Sequence, residues 1–269
     1  MKKKKRTMAE YQASRVRRVA MSPGLQSVLD GMLLSDASIQ CGKKRHSASI
    51  SLWQHPSRVG WLEQLGSELG EYGMDSVIDC RVQPPTTFPD GRKTSGGEYR
   101  VLRTKSYVEL VREYDRWYNP HKIVPSDLIL DSVSLRHWFC GDGRSGDSKG
   151  TLGFCTDGFS HAEVEGLVQQ LKMVFNIEAR LQTNQRGHPQ ILVGKRDHAV
   201  KIQTIIEPSL HECCAYKLKH VRPLQTTGKG RRIPEDTKKA IIAKRWQTTV
   251  KETANQYGVS PSKVWSLWQ

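Results

Sequence analysis

A chain of 269 residues with 37% hydrophobic content can bury a sizeable core, which excludes a globally disordered protein. Forty-two Lys and Arg against 27 Asp and Glu give a formal charge of +15, so the expected partner is a polyanion, nucleic acid before an acidic membrane surface. No apolar run approaches the roughly 18 residues of a membrane span, the first twenty residues lack a secretory leader's apolar stretch, and the six cysteines form no C-x-x-C pair, which together suggest a reduced intracellular setting with free thiols.

The charge is uneven: eight basic residues against one acidic in 1–20, nine against three in 228–269, and 25 against 23 between them. The block Lys2–Arg6 reads as a solvated arm, with phosphate binding or targeting as the functional alternative. Ser22-Pro23 supplies an N-cap and first helical residue, and Leu25, Val28, Leu29, Met32 and Leu33 continue at helical spacing to a stop near Asp36. Ser47–Trp53 alternates Ala48, Ile50 and Leu52 with serines, the pattern of a half-exposed strand. A helix over Val59–Leu69, strands at Ser76–Gln83 and Glu98–Thr104 around a Pro-, Gly- and Thr-rich loop, and a helix over Tyr107–Trp117 follow. The same order then returns: a helix at Ser132–Gly141, a strand at Thr151–Thr156, a helix at His161–Phe175, strands at Ile177–Thr183 and Gln190–Lys195, and a helix at Arg196–Ile206. This order predicts an internal duplication of about a hundred residues. A short linker at Thr226–Gly230 precedes a helix over Pro234–Trp246 and a final segment, Val250–Gln269.

Two segments carry chemistry, Leu29–Ala37 and Leu135–Gly143. In each, an apolar helix bears small residues and stops at an acid. Gly31, Ser35 and Gly141 allow two such helices to approach closely, which would bring Asp36 and Asp142 together at one end. Two adjacent carboxylates repel unless a cation sits between them, and hard oxygen donors suit Mg²⁺. Such a metal activates water and stabilises the oxygens of a phosphodiester.

Both segments resemble the motif that names the LAGLIDADG homing endonucleases, and the resemblance covers roughly residues 22–222. Lys122-Ile123-Val124-Pro125 and Tyr216-Lys217-Leu218 resemble the segments that close each half in that family, from which a lysine reaches each scissile phosphate to neutralise charge or order water. Two departures stand out. Ala37 replaces a Gly after the first acid, which predicts a strained turn. His137 replaces a small residue, which predicts looser helix packing. The resemblance implies an α/β (α+β) fold of two pseudo-symmetric halves with curved antiparallel sheets (22–126 and 127–227); charge and composition add a basic tail (1–21) before them and an appendix (228–269) after them. It implies a monomeric enzyme, without membrane attachment, that cuts both strands of a long double-stranded DNA site with Mg²⁺, for which Mn²⁺ can substitute. Asp36 and Asp142 would bind metal, and Lys122 and Lys217 would assist. Its place would be the cytoplasm of a bacterium or phage host, or an organelle. Two alternatives stay open: a transcription regulator without catalysis, and a maturase that binds its host intron RNA.

With Val250 as position one, Thr253, Tyr257, Val259, Val264 and Leu267 occupy the packing positions of a helix-turn-helix, with Ala254 as the small residue and Gly258 at the turn. Ser260-Pro261 would start the second helix. That helix would enter the major groove and present Ser262, Lys263 and Ser266 to DNA. The bland alternative is a helical hairpin packed on the core. His211, Cys213 and Cys214 lack the spacing of a structural zinc site and read as buried thiols beside a surface histidine.

Overall fold

A computed structural model describes residues 17–87, 91, 93–146, 150–218, 221, 233–245, 247–259 and 261–269. The basic block at Lys2–Arg6, the linker at Thr226–Gly230 and the Ser260 cap lie outside them. The chain divides into two compact units, 1–221 and 222–269.

In the first unit, α1 (Pro23–Leu34) begins where the Ser22 hydroxyl accepts from the Leu25 amide at 3.2 Å and Pro23 presets the first turn. It is followed by β1 (Ser38–Cys41), β2 (Ala48–Gln54), α2 (Val59–Glu71), β3 (Ser76–Gln83), β4 (Thr86–Thr87), β5 (Lys93–Thr94), β6 (Gly97–Thr104) and α3 (Glu109–Trp117). The second half repeats the plan with α4 (Ser132–Asp142), β7 (Gly143–Ser145), β8 (Leu152–Cys155), α5 (His161–Phe175), β9 (Arg180–Thr183), β10 (Pro189–Val193) and α6 (Arg196–Ile206). The sheets run β1-β2-β6-β3 and β7-β8-β10-β9, every pairing antiparallel. Apart from the small β4–β5 hairpin the two topologies are the same, so the duplication expected from element order is present in strand pairing too.

Period-2 alternation decides which face is covered. Ile50 and Leu52 of β2 are buried among Trp61, Leu62, Leu65 and Leu69 of α2 and the residues of α1, while Trp53 on the opposite face stays 42% exposed and meets Tyr99 edge-on at 6.2 Å. In the second sheet, Leu152, Phe154, Ile191 and Val193 are buried in the same way.

Helices α1 and α4 pack directly on each other. A methyl group added at Gly31 would lie 2.5 Å from the Ser134 carbonyl oxygen, and one at Gly141 would lie 2.5 Å from Ser35 Oγ, so the small residues are what allow the approach. His137 does not loosen this packing as its bulk predicted. The point where a Gly31 methyl would sit is 2.8 Å from His137 Cβ, so the helices remain close there. The ring is taken up by Glu68 of α2, Nε2 to Oε2 at 3.0 Å, and Arg136 donates to the same carboxylate at 2.6 Å. The expected strain at Ala37 is absent as well: among the described residues the non-glycine positions with positive φ are Arg45 and Asn176.

Elements differ from expectation mainly at their edges. Tyr107 pairs with Ala48 and places its hydroxyl 2.7 Å from the Asp75 amide, so α3 starts later, at Glu109. The chain after α5 turns through Asn176 in the left-handed region, which delays β9 to Arg180. Strands β1 and β7, immediately after the two acids, were not foreseen; at four and three residues they are too short for alternation to show.

The second unit contains α7 (Glu235–Ala243), α8 (Val250–Tyr257) and α9 (Pro261–Trp268). Thr249 and Glu252 form a capping box at the start of α8, and Gly258 ends it in the left-handed region at φ 62°. Ile241, Ala254, Val264 and Trp268 form a small core, flanked by Ile233, Val250, Tyr257, Val259 and Leu267. Thr253 is also fully buried, so every position expected to pack does so at least in part. Among the described residues, no helix is long and apolar enough to cross a membrane.

Candidate active site at the ends of the motif helices

Each motif helix ends in exposed or half-buried carboxylate: Asp36 lies two residues past α1, and Asp142 is the last residue of α4. A helix C-terminus leaves carbonyl oxygens without partners and attracts cations. Lys122 meets this need for α1, its Nζ donating to the Ser35 and Ala37 carbonyls at 2.8 and 2.9 Å. Lys217, from the 3₁₀ segment Glu212–Leu218, does so for α4, donating to Gly141, Cys140 and Phe139 at 2.6, 2.7 and 3.2 Å. Each lysine therefore closes the helix of its own half, and each follows its acid in the chain, in the order Asp36, Lys122, Asp142, Lys217.

Burial and neighbouring charge displace Asp142 and both lysines from their ordinary values. Burial, and next the charge of Asp36, push the Asp142 carboxyl up to about 7, with Lys217 and Lys122 opposing. Burial lowers Lys122 to about 8 against the pull of Asp142 and Asp36. Burial, then the Arg58 cation, lower Lys217 to about 8. Two cavities flank Asp142. One, of about 350 Å³, is lined by Lys122, Asp142, Cys155, Asp157 and Phe159; the other, of about 390 Å³, by Arg58, Asp142, Arg144, Tyr216 and Lys217.

Three of these neighbours escaped the sequence reading. Gln54 Nε2 donates to Asp36 Oδ2 at 2.7 Å, and Arg58 Nη1 donates to Gln54 Oε1 at 2.8 Å. The other Arg58 nitrogen donates to the Tyr216 hydroxyl, and its guanidinium lies 5.7 Å from that ring. A chain of contacts thus runs from Asp36 in the first half to the residue beside Lys217 in the second. Gln54 left a trace in the sequence: it follows Ala48, Ile50 and Leu52 on the apolar face of β2, where period 2 predicts another apolar side chain. Arg58 left none. The third is Asp157, which accepts from Gln190 Nε2 at 3.1 Å and opposes ionisation of Asp142.

The halves differ here. Sheet register places Ser38 opposite Ser51 and Arg144 opposite Gly153, so Thr156 occupies the position of Gln54. Its hydroxyl donates to the Pro189 carbonyl at 2.7 Å. Ser262, Lys263 and Ser266 are exposed on α9, which belongs to the second unit. Cys214 is fully buried and Cys213 half-buried, with sulfurs 4.0 Å apart. Among the described residues, no group of three His, Cys, Asp or Glu side chains is placed to hold a metal ion. Two carboxylates are nevertheless what Mg²⁺ takes from a protein when waters and phosphate oxygens complete its shell, so the donor set fits that ion.

Two like halves around paired helices, each helix ending at an acid and sealed by a lysine, define a pseudo-two-fold fold with one composite acidic centre. Residues 26–200, well over half the chain, match the model of the LAGLIDADG DNA endonuclease family, and the chain belongs to that family. It is 29% identical over 195 residues to an uncharacterized protein of Methanocaldococcus jannaschii, covering 70% of each chain. It is 26% identical to a probable intron-encoded endonuclease of Wickerhamomyces canadensis, over 53% of this chain and 65% of that one. It is 24% identical to the cytochrome b mRNA maturase bI2 of Saccharomyces cerevisiae, over 74% of this chain and 48% of that one. The homing endonuclease I-WcaI, solved with its DNA recognition sequence, shares the fold, with a TM-score of 0.61 at 22% identity over 74% of this chain and 87% of that one.

Proposed function

We propose that the chain is a monomeric, intracellular homing endonuclease that hydrolyses both strands of a long double-stranded DNA site with Mg²⁺, or Mn²⁺ in its place. The observation that carries this reading is the meeting of Asp36 and Asp142 at the ends of packed helices, close enough for the charge of one to oppose ionisation of the other. In this reading both acids hold the metal, which when bound supplies an activated water and charge neutralisation at the scissile phosphate. Lys122 and Lys217 fix the helix ends that carry the acids and add positive charge beside the phosphates. Gln54 and Arg58 orient Asp36. Residues 22–126 and 127–227 each cover one half of a target that need not be palindromic. In residues 228–269, α8 and α9 act as a helix-turn-helix whose Ser262, Lys263 and Ser266 meet DNA. The likeness to a maturase supports a second reading, that host intron RNA is also bound.

The test is cleavage of duplex DNA taken from the two sides of the gene and joined. Mg²⁺ should give a double-strand break and EDTA none, with Ca²⁺ allowing binding alone. Asp36→Asn and Asp142→Asn should abolish cutting while a gel shift persists. Metal-independent cleavage, or full activity in either variant, would overturn the assignment.

A further inference from the structure

The two tryptophans of α9 have different surroundings. Trp268 is 7% exposed, belongs to the small core and donates from Nε1 to the Ile241 carbonyl at 2.7 Å. Trp265, one turn earlier, is 57% exposed. Helical spacing puts Pro261, Trp265 and Gln269 in one row and Ser262 and Ser266 in the next, all exposed, while Val264 and Trp268 turn to the core. Trp265 is therefore the single large apolar group in the middle of a polar helix face. The unit that carries it is basic: its described residues include Lys238, Lys239, Lys244, Arg245, Lys251 and Lys263 against Glu235, Asp236 and Glu252, and Lys251 and Lys263 are exposed on α8 and α9.

An apolar centre on a polar helix face, in a unit of net positive charge, fits a partner that is polyanionic outside and offers an apolar group within reach of a helix. Duplex DNA meets both conditions, because its major groove admits a helix and its base edges there carry an apolar group, the 5-methyl of thymine. Indole has a broad apolar surface and few rotamers, so it gains from such a contact at small entropic cost. We propose that Trp265 is a specificity-determining residue that packs on a thymine methyl group in the major groove. This rests on the reading of α8 and α9 as a DNA-binding pair. Lys263 then supplies salt-dependent attraction that is blind to sequence.

The full chain, with Ca²⁺ in place of Mg²⁺, would be used to select duplexes from a library randomised on both sides of the target. Trp265→Ala and Trp265→Leu chains would be selected in parallel. Wild type should enrich thymine at one or two flanking positions, Trp265→Leu less strongly, and Trp265→Ala not at all. Replacing the enriched thymine with deoxyuridine removes one methyl group and should weaken wild-type binding about fourfold, with no effect on Trp265→Ala. Trp265→Ala should leave the log–log salt slope unchanged, whereas Lys263→Ala should reduce its magnitude by about 0.9. Truncation after Thr227 separates the two levels of the argument. If truncation shortens the footprint but deoxyuridine is neutral for wild type, the Trp265 assignment fails and the DNA-binding pair stands. If truncation leaves the footprint unchanged, the pair itself fails. A change in the sedimentation of the DNA-free protein on Trp265→Ala would show that this face joins copies of the chain, and would also overturn the proposal.

Discussion

Replacing Gly31 with Ala should destabilise the first unit, although the same change in an exposed helix should stabilise it. In α1 the new methyl would lie 2.5 Å from the Ser134 carbonyl oxygen and 2.8 Å from both Ser134 Cα and His137 Cβ. Ordinary carbon contacts lie near 3.5 Å, so α1 and α4 must separate by on the order of 1 Å. The obstructing atoms are mostly backbone and cannot rotate away. Overpacking of this kind costs about 1–3 kcal/mol or more, against about 1 kcal/mol gained in helix propensity. Gly166, in the middle of α5, is the matched control: it is exposed, and nothing lies within 4 Å of its added methyl. Gly166→Ala should therefore stabilise by about 0.5–1 kcal/mol. At about 2–4 °C per kcal/mol for a domain of this size, the two variants should move the melting temperature of the unit in opposite directions. Calorimetry on both is the assay. The separation also moves Asp36 relative to Asp142, so the Gly31 variant should lose cleavage more steeply than it loses stability. Equal melting temperatures for the two variants would refute the claim that close backbone approach sets the helix pair.

The metal-free protein should have its stability minimum near pH 7–8. Asp142 keeps its proton up to about 7 against 3.8 in the unfolded chain, so the folded state binds more protons and stability falls as pH rises between those values. Both lysines lose theirs near 8 against 10.5, so stability recovers as pH rises further. Asp142→Asn should flatten the acid side in a urea-midpoint series with EDTA, and an unchanged profile would refute the argument. Lys217→Met removes a buried donor to three carbonyls and should cost about 2–3 kcal/mol, more than Lys122→Met with two. Equal urea midpoints for these two variants would count against a role in sealing the helix ends. Truncation after Thr227 should leave a folded unit that still cuts, with weaker binding and a smaller salt slope; a truncated chain that fails to fold would refute it.

How much of this was legible depends on whether a signal is contiguous in the chain. Ser22-Pro23 before an apolar stripe predicted α1 almost to the residue, because caps and periodicity act within a few turns. Both acids were legible for the same reason, each being the end of a helix that carries its small residues at fixed offsets. The chain Asp36–Gln54–Arg58–Tyr216 was not, because it joins a helix end, a strand end, a 3₁₀ turn and the second half, and no local pattern records such a meeting. Its one trace, a polar residue on the apolar face of β2, is a mismatch that gains meaning only once Asp36 is known to lie opposite.

The second half has no matching trace because its chemistry differs. Thr156 stands where Gln54 would be and spends its hydroxyl on a backbone carbonyl, while Asp157 adds negative charge beside Asp142. A duplicated fold within a single chain permits this. In a symmetric dimer, any change at one acid is imposed on both. Here the helix seam and the sealing lysine, on which both halves depend, are kept in duplicate, and the residues that set the environment of each carboxylate are free to diverge. The shared seam explains why the motif could be read twice from the sequence, and the divergence explains why the surroundings of one acid could not be inferred from those of the other.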